Sequence, residues 1–429
     1  MPDPDGGSGM IARNWAIRRR NELSSRKTDS GPRGPEVASR VGIPLGIAIL
    51  VCFTTGLISH WIQHPPTWFW WPTRPVWLYR LTQGSHIIAG VAAIPLLLVK
   101  LWAVYPRLFR RPVLRSPLAI AERGSIGLLV GSVIFQLSTG LANIAQYYPW
   151  KFFFPTAHYA MAYVAIGALS VHLAVKLPVV RNALSRPIDS SAGAASATTS
   201  AKPAATGPLS TAEPPAMNVR EDTPSVGPAA AAPRISRRAI LNAAWASAAV
   251  AALAVAGQTV PFLRWMAVLA PRSGQGPQGV PVNRSATAAG VVERANDPRY
   301  RLVITAGNRR HEFTLDELAA LPQATARLPI ACVEGWSASA YWSGVRLRDI
   351  LAVVGYSGGD VRFDSLEASG LYRSSVLPAH HATDQDTLIA LTLNGQTLDL
   401  DHGYPCRLIA PNRPGVLQTK WLFRIEVLS

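Results

Sequence analysis

The sequence predicts a multidomain chain: an all-α transmembrane four-helix bundle and one further transmembrane anchor helix, followed by an α+β domain that is mostly β. Three observations predict it. Five apolar runs each approach the roughly 20 residues needed to cross a bilayer. A stretch rich in Pro, Ala, Ser and Thr parts the fourth run from the fifth. The last third changes to short alternating strands punctuated by turn dipeptides. A length of 429 residues accommodates two or three domains.

Residues 1–40 are polar, with Arg18-Arg19-Arg20 among Gly, Pro and Ser, and read as a disordered basic cytoplasmic tail. Residues 41–180 form the membrane domain, with spans expected at 41–62, 83–104, 125–145 and 155–177. The loop between the second and third spans carries Arg107, Arg110, Arg111, Arg115 and Arg123, which places it in the cytoplasm. The other two loops hold Trp68-Phe69-Trp70-Trp71 and Tyr147-Tyr148-Pro149-Trp150, aromatics suited to the outer interface. Residues 181–235 cannot build a core and read as a low-complexity cytoplasmic linker. Residues 236–270 hold Ser236-Arg237-Arg238-Ala239-Ile240-Leu241 and an Ala-rich fifth span, which puts residues 285–429 outside the cell membrane.

In that last domain, 302–305 and 311–314 read as a hairpin turned at Gly307-Asn308, and 315–321 as a short helix. A second hairpin, 388–393 and 396–400, turns at Asn394-Gly395, and 421–428 is the closing strand. The net charge of +17 follows the spans rather than forming one patch, so a lipid bilayer and not nucleic acid is the expected partner. Three cysteines are too few for a disulfide framework; Cys52, inside a span, is expected to be a packing residue.

Ionisable groups inside a span default to function. His86 and His158 fall at matched depth on the second and fourth spans, which run in the same direction. Two imidazoles at one level across a bundle can be the axial ligands of a b-type haem. His60 could replace either ligand or bind a haem propionate. His172 lies fourteen residues beyond His158, roughly 21 Å along the helix; a second haem there would need another ligand type. The other reading of these histidines is hydrogen bonding to backbone, or the lining of a quinone pocket. The stretches Thr55-Gly56-Leu57, Thr82-Gln83-Gly84-Ser85-His86 and Ala157-His158-Tyr159 resemble bacterial cytochrome b561-like membrane subunits. That resemblance implies a bis-histidine haem exchanging electrons with the quinone pool or another membrane carrier.

Cys332 stands in Leu328-Pro329-Ile330-Ala331-Cys332-Val333-Glu334-Gly335-Trp336-Ser337. A thiolate is a soft ligand for a redox-active metal. The segment is similar to the molybdenum-ligating segment of sulfite-oxidase-fold molybdopterin oxidoreductases. A second match, His402-Gly403-Tyr404-Pro405-Cys406-Arg407-Leu408 with Ala410-Pro411, Lys420-Trp421 and Ile425-Glu426, resembles that family's pterin-binding signature. The resemblance implies a Mo-molybdopterin cofactor. Cys332 supplies its thiolate to molybdenum beside the two dithiolene sulfurs, and His402, Arg407 and Lys420 contact the pterin or its phosphate. Glu334, Tyr372 and Arg373 are candidates for the substrate pocket, with Glu334 also near the cofactor. Val-Glu-Gly-Trp after the cysteine departs from sulfite oxidases and is closer to the periplasmic methionine-sulfoxide reductase branch. The chain also leaves no room after the second motif for the sulfite oxidase dimerisation domain. Cys406 is expected to be a buried, inert thiol.

The run around Arg237-Arg238 resembles a twin-arginine export signal, which a domain loaded with its cofactor in the cytoplasm would need. Together these readings imply a multi-pass membrane enzyme with an extracytoplasmic active domain. It would transfer oxygen atoms at molybdenum, exchange electrons with quinones through haem b, and act on a small-molecule or sulfoxide-type substrate. The rivals are a non-catalytic electron carrier or redox sensor lacking molybdenum and, more narrowly, a reductase of methionine sulfoxide in exported proteins.

Overall fold

The computed structural model describes residues 33–108, 117–188, 235–269 and 276–428. Most of the basic tail and of the linker, together with Arg110, Arg111 and Arg115, lies outside the described residues. Among the described residues five helices are long and apolar enough to cross a membrane: α1 (Pro35–Gln63), α2 (Leu78–Leu108), α3 (Pro117–Ile144), α4 (Phe154–Leu184) and α5 (Arg237–Ala256). The first four overrun the expected spans. Helix α1 has 29 residues, about 44 Å at 1.5 Å per residue, against a hydrocarbon layer of about 30 Å. Apolarity marks the part of a helix that lipid covers, whereas backbone hydrogen bonding continues beyond it. Pro35 at the first helical position of α1 costs no intrahelical bond.

The described residues fall into two compact units. One comprises 33–43, 96–108, 174–188 and 235–246. Here Arg40 donates to the carbonyls of Ala183, Leu184 and Arg186, satisfying acceptors that the end of α4 leaves open. Lys100 Nζ donates to the Ala38 carbonyl at 2.6 Å, and Arg237 pairs with Glu36 at 3.6 Å.

The other unit comprises 44–95, 117–173, 247–269 and 276–428. Its sheet portion consists of β1 (Leu302–Ala306), β2 (Arg309–Phe313), β3 (Gln323–Ala331), β4 (Ser337–Arg346), β5 (Val361–Ser365), β6 (Ser374–Leu377), β7 (Leu388–Leu393), β8 (Gln396–Thr397), β9 (Arg407–Ile409) and β10 (Leu422–Val427). One sheet has the order β2-β1-β10-β5-β6; the second runs β3-β4-β7-β8, with β9 also on β7. The first hairpin forms as expected, and the helix at Leu315–Ala320 starts in a Thr314/Glu317 capping box. The closing strand β10 pairs parallel with β1. The second hairpin is shorter than expected. Beyond Thr397 the chain leaves the sheet, and Asp399 caps a 3-10 turn, Leu400–His402. A core of Leu302, Ile304, Ile350, Phe363, Ile389 and Ile425 backs the first sheet. Trp342, Leu388 and Ile409 anchor the second.

Candidate functional site

Cys332 is the first residue after β3. Its N–H donates to the Trp336 carbonyl at 2.9 Å, and the Gly335 N–H donates to the Cys332 carbonyl at 3.0 Å. The tight turn depends on Gly335, whose φ of 94° lies in the region that side chains disfavour. A Cβ there would also sit 3.1 Å from Ile87 Cγ1 on α2. Cys332 is 1% exposed, yet it lines a cleft of about 100 Å³. Burial and the neighbouring Glu334 carboxylate push its thiol well above the usual range. The residue therefore becomes a thiolate only when a metal displaces the proton.

The cleft also takes His402, Arg407 and Lys420 in its walls. The 3-10 turn presents His402, whose Nε2–H donates to the Pro277 carbonyl at 2.8 Å, leaving Nδ1 as the free acceptor. Arg407 lies on β9, donating to the carbonyls of His402 and Gln418 at 2.9 and 3.1 Å, over the ring of Trp342. Its Nε is buried without a partner. Lys420 donates to the carbonyls of Arg284 and Asp401. Burial, reinforced by mutual repulsion for Lys420, lowers Lys420 to about 7; burial lowers Arg407 to about 9. Two cations held side by side with carbonyl partners rather than carboxylates, one with a free N–H, suit an incoming phosphate.

Tyr372 lines the same cleft, and burial raises its phenol, so the hydroxyl keeps its proton. Glu334 and Arg373 do not line it. Glu334 accepts from Trp336 Nε1 at 3.1 Å, and Arg373 donates to the Ala368 carbonyl. Arg284, Glu367, Asp401, Gln418 and Thr419 line the cleft but carry no sequence signal of their own beyond the last two preceding Lys420. Cys406 is buried and donates no group to the cleft: its thiol is raised to about 12 and lies 3.2 Å from Tyr300 Oη.

A second cavity, of about 520 Å³, opens among α1–α4. His86 and His158 face each other across it with ring centres 6.3 Å apart. His86 Nδ1 lies 3.0 Å from the Cys52 carbonyl and 3.1 Å from Thr55 Oγ1. His158 Nδ1 lies 3.1 Å from Thr139 Oγ1. Both threonine hydroxyls already donate to helix carbonyls, Val51 and Phe135, so each accepts from the imidazole. That fixes the proton on Nδ1 of both rings and leaves both Nε2 lone pairs bare, the tautomer a metal ligand needs. Two imidazoles sharing one metal at bonds of about 2 Å have centres about 6 Å apart. Gly56 and Gly140, beside the Cε1 atoms of His86 and His158, keep the walls clear. Cys52 packs between, its thiol donating to the His86 carbonyl. His60 lines the cavity elsewhere, stacked on Tyr159 at 3.7 Å and on His64 at 4.8 Å. His172 lines neither cavity. Among the described residues no three His, Cys, Asp or Glu side chains gather around one point. A lone thiolate and a lone imidazole pair each fit a metal whose other ligands come with a cofactor.

Comparison with known proteins finds likeness over parts of the chain. Residues 289–429 match the family described as the oxidoreductase molybdopterin binding domain. Mitochondrial sulfite oxidase of Homo sapiens is 35% identical over 144 residues, 31% of this chain and 25% of that protein. A protein assigned as a protein-methionine-sulfoxide reductase subunit, YedZ1 of Azospira oryzae, is 36% identical over 120 residues, 28% of this chain and 45% of that protein. Among solved structures, the sulfane dehydrogenase SoxCD from Paracoccus pantotrophus is 26% identical, covering 30% of this chain and 38% of that one with a TM-score of 0.28. The chain thus spans a quarter to under half of the length of these curated relatives. Behind helices apolar enough to cross a membrane, residues 289–429 are a molybdopterin-binding oxidoreductase domain of the sulfite-oxidase type.

Proposed function

We propose that the chain is a membrane-bound molybdopterin-dependent oxidoreductase that reduces sulfoxides, including methionine sulfoxide in proteins, with electrons drawn from membrane quinols through a b-type haem. The observation that carries it is the position of the Cys332 sulfur in the wall of a cleft that also holds the cations of Arg407 and Lys420. Molybdenum with its pterin dithiolene, when bound, supplies two-electron oxygen-atom transfer. The chain's own residues do the rest. Cys332 ligates, Arg407 and Lys420 hold the phosphate end, and His402 offers Nδ1 to the pterin edge. Tyr372, protonated at neutral pH, donates to the oxygen of a bound sulfoxide.

His86 and His158 would hold the iron of a haem, as in a cytochrome b561-like bundle, and the 520 Å³ cavity is within the range of about 300–1,000 Å³ usual for ligand sites. The sulfoxide substrate is supported by the name of the Azospira relative and by Val333-Glu334-Gly335-Trp336 after the cysteine. Arg237-Arg238 at the start of α5 would serve export of the loaded domain to the extracytoplasmic side. The test is molybdenum and haem stoichiometry of the full chain in detergent, followed by stopped-flow reoxidation of reduced haem on adding methionine sulfoxide. Wild type should carry one of each and reoxidise. Cys332→Ser should lose molybdenum and reoxidation while keeping its haem spectrum. A wild type without molybdenum leaves the non-catalytic carrier as the reading.

A further inference from the structure

The two cavities share a wall. Leu371 and Tyr372 line both. Cys332 lines the cleft, and the next residue, Val333, lines the histidine cavity, so one peptide unit crosses the partition. The Val333 carbonyl accepts two side-chain hydrogen bonds from two different helices: Gln83 Nε2 of α2 at 3.3 Å and Asn143 Nδ2 of α3 at 3.0 Å. Both amide side chains belong to buried residues. Gln83 stands three residues before His86, about 4.5 Å of helix rise. Asn143 stands four residues after Thr139, whose hydroxyl holds His158 Nδ1, and three after Gly140, which faces the His158 ring. Asn143 is itself oriented, its Oδ1 accepting from Tyr148 Oη at 2.9 Å. The Cys332 turn is pressed onto the same helices through Gly335, against Ile87 and Ile144.

We infer that the Val333 carbonyl, clamped by Gln83 and Asn143, is the electron-transfer contact between the two cofactor sites, and that these two amides are positioning residues for it. The inference rests on the function proposed above. From the metal-ligating residue the route is one peptide and one hydrogen bond to α2, which bears His86, and likewise to α3, whose Thr139 hydroxyl holds His158. A partly buried carbonyl with two donors is held in one geometry, and the loss of both donors leaves it free to shift. One quinol yields two electrons and two protons as it becomes quinone. Two single-electron passages across this contact, with two protons, convert one sulfoxide to sulfide and water.

The test reads the passage directly and needs no substrate. In the full chain in detergent, a laser flash with a photoreduced flavin analogue injects one electron, and haem absorbance follows its redistribution between the sites. Gln83→Leu with Asn143→Leu should slow redistribution about tenfold, the equivalent of about 1.4 kcal/mol of barrier. Haem spectrum, haem midpoint potential and molybdenum content should stay at wild-type values. Wild-type redistribution in the double variant, with both cofactors present, overturns the inference. If the double variant loses a cofactor, Gln83→Met and Asn143→Leu alone carry the test. Each should slow the passage about threefold, as two equal and additive contributions to a tenfold effect would, and two wild-type rates overturn the contact. A wild type without haem or molybdenum refutes the proposed function instead, which stoichiometry reveals before any flash.

Discussion

Replacing Arg407 with methionine should weaken cofactor binding while leaving the cofactor-free protein about as stable as before or more so. Arg407 is 3% exposed, and burial brings its guanidinium far below the usual range, to about 9. At about 1.4 kcal/mol per tenfold in proton affinity, holding that charge costs the cofactor-free fold about 5 kcal/mol. Methionine removes this cost and fills much of the same volume over Trp342. It also strips the donors from the carbonyls of His402 and Gln418, at about 1–3 kcal/mol each. The two effects oppose, so the net change should lie between about 3 kcal/mol more stable and about 1 kcal/mol less stable. In the loaded protein the variant forfeits a charged hydrogen bond of about 1.5–3 kcal/mol to the phosphate, or about 10- to 150-fold in affinity. Unfolding of cofactor-starved protein, followed by tryptophan fluorescence, reads the first effect; retention of molybdenum through dilution and gel filtration reads the second. A variant that holds molybdenum as the wild type does, or whose cofactor-free form loses more than about 4 kcal/mol, refutes the assignment of Arg407 to the cofactor.

Three further outcomes are expected. His86→Leu and His158→Leu should each abolish the b-type absorption band of the purified protein, while His172→Leu should leave it unchanged. His381, fully buried, is lowered to about 3 by burial and by the nearby Arg413 and His380. The unfolded chain then binds the extra proton between about pH 6.5 and 3, so stability should fall as pH drops through that window, by up to about 4–5 kcal/mol. His381→Leu should flatten that part of the acid-unfolding curve. Gly335→Val, which combines positive φ with contact on Ile87, should destabilise the Cys332 turn by about 1–3 kcal/mol, seen as reduced molybdenum content with an intact haem spectrum.

Much of the candidate site is legible in the chain because its residues sit in two short continuous motifs. Cys332 closes a strand, and His402, Arg407 and Lys420 follow one another through a 3-10 turn and a short strand. The matched depth of His86 and His158 is equally readable, since span ends set a common level. Glu334 and Arg373 show where such reading stops. Neither lines the cleft: Glu334 stands against the Cys332 thiol and Trp336 Nε1, and Arg373 turns to the Ala368 carbonyl, directions that neither hydropathy nor spacing records. Arg284 reaches the cleft from a segment with no motif at all.

Composition and periodicity alone determined that this chain has apolar helices of membrane-crossing length, a stretch rich in Pro, Ala, Ser and Thr, and a last third built largely of strands. Those properties belong to local stretches of sequence, through burial of apolar surface and alternation of side chains. Tertiary structure alone decided that β10 lies parallel to β1, that threonine hydroxyls leave the Nε2 atoms of His86 and His158 bare, and that Gln83 and Asn143 meet on the Val333 carbonyl. Each of these is a contact between residues far apart in the chain. Its existence depends on distances of about 3 Å, within which hydrogen bonds form and which no one-dimensional pattern encodes.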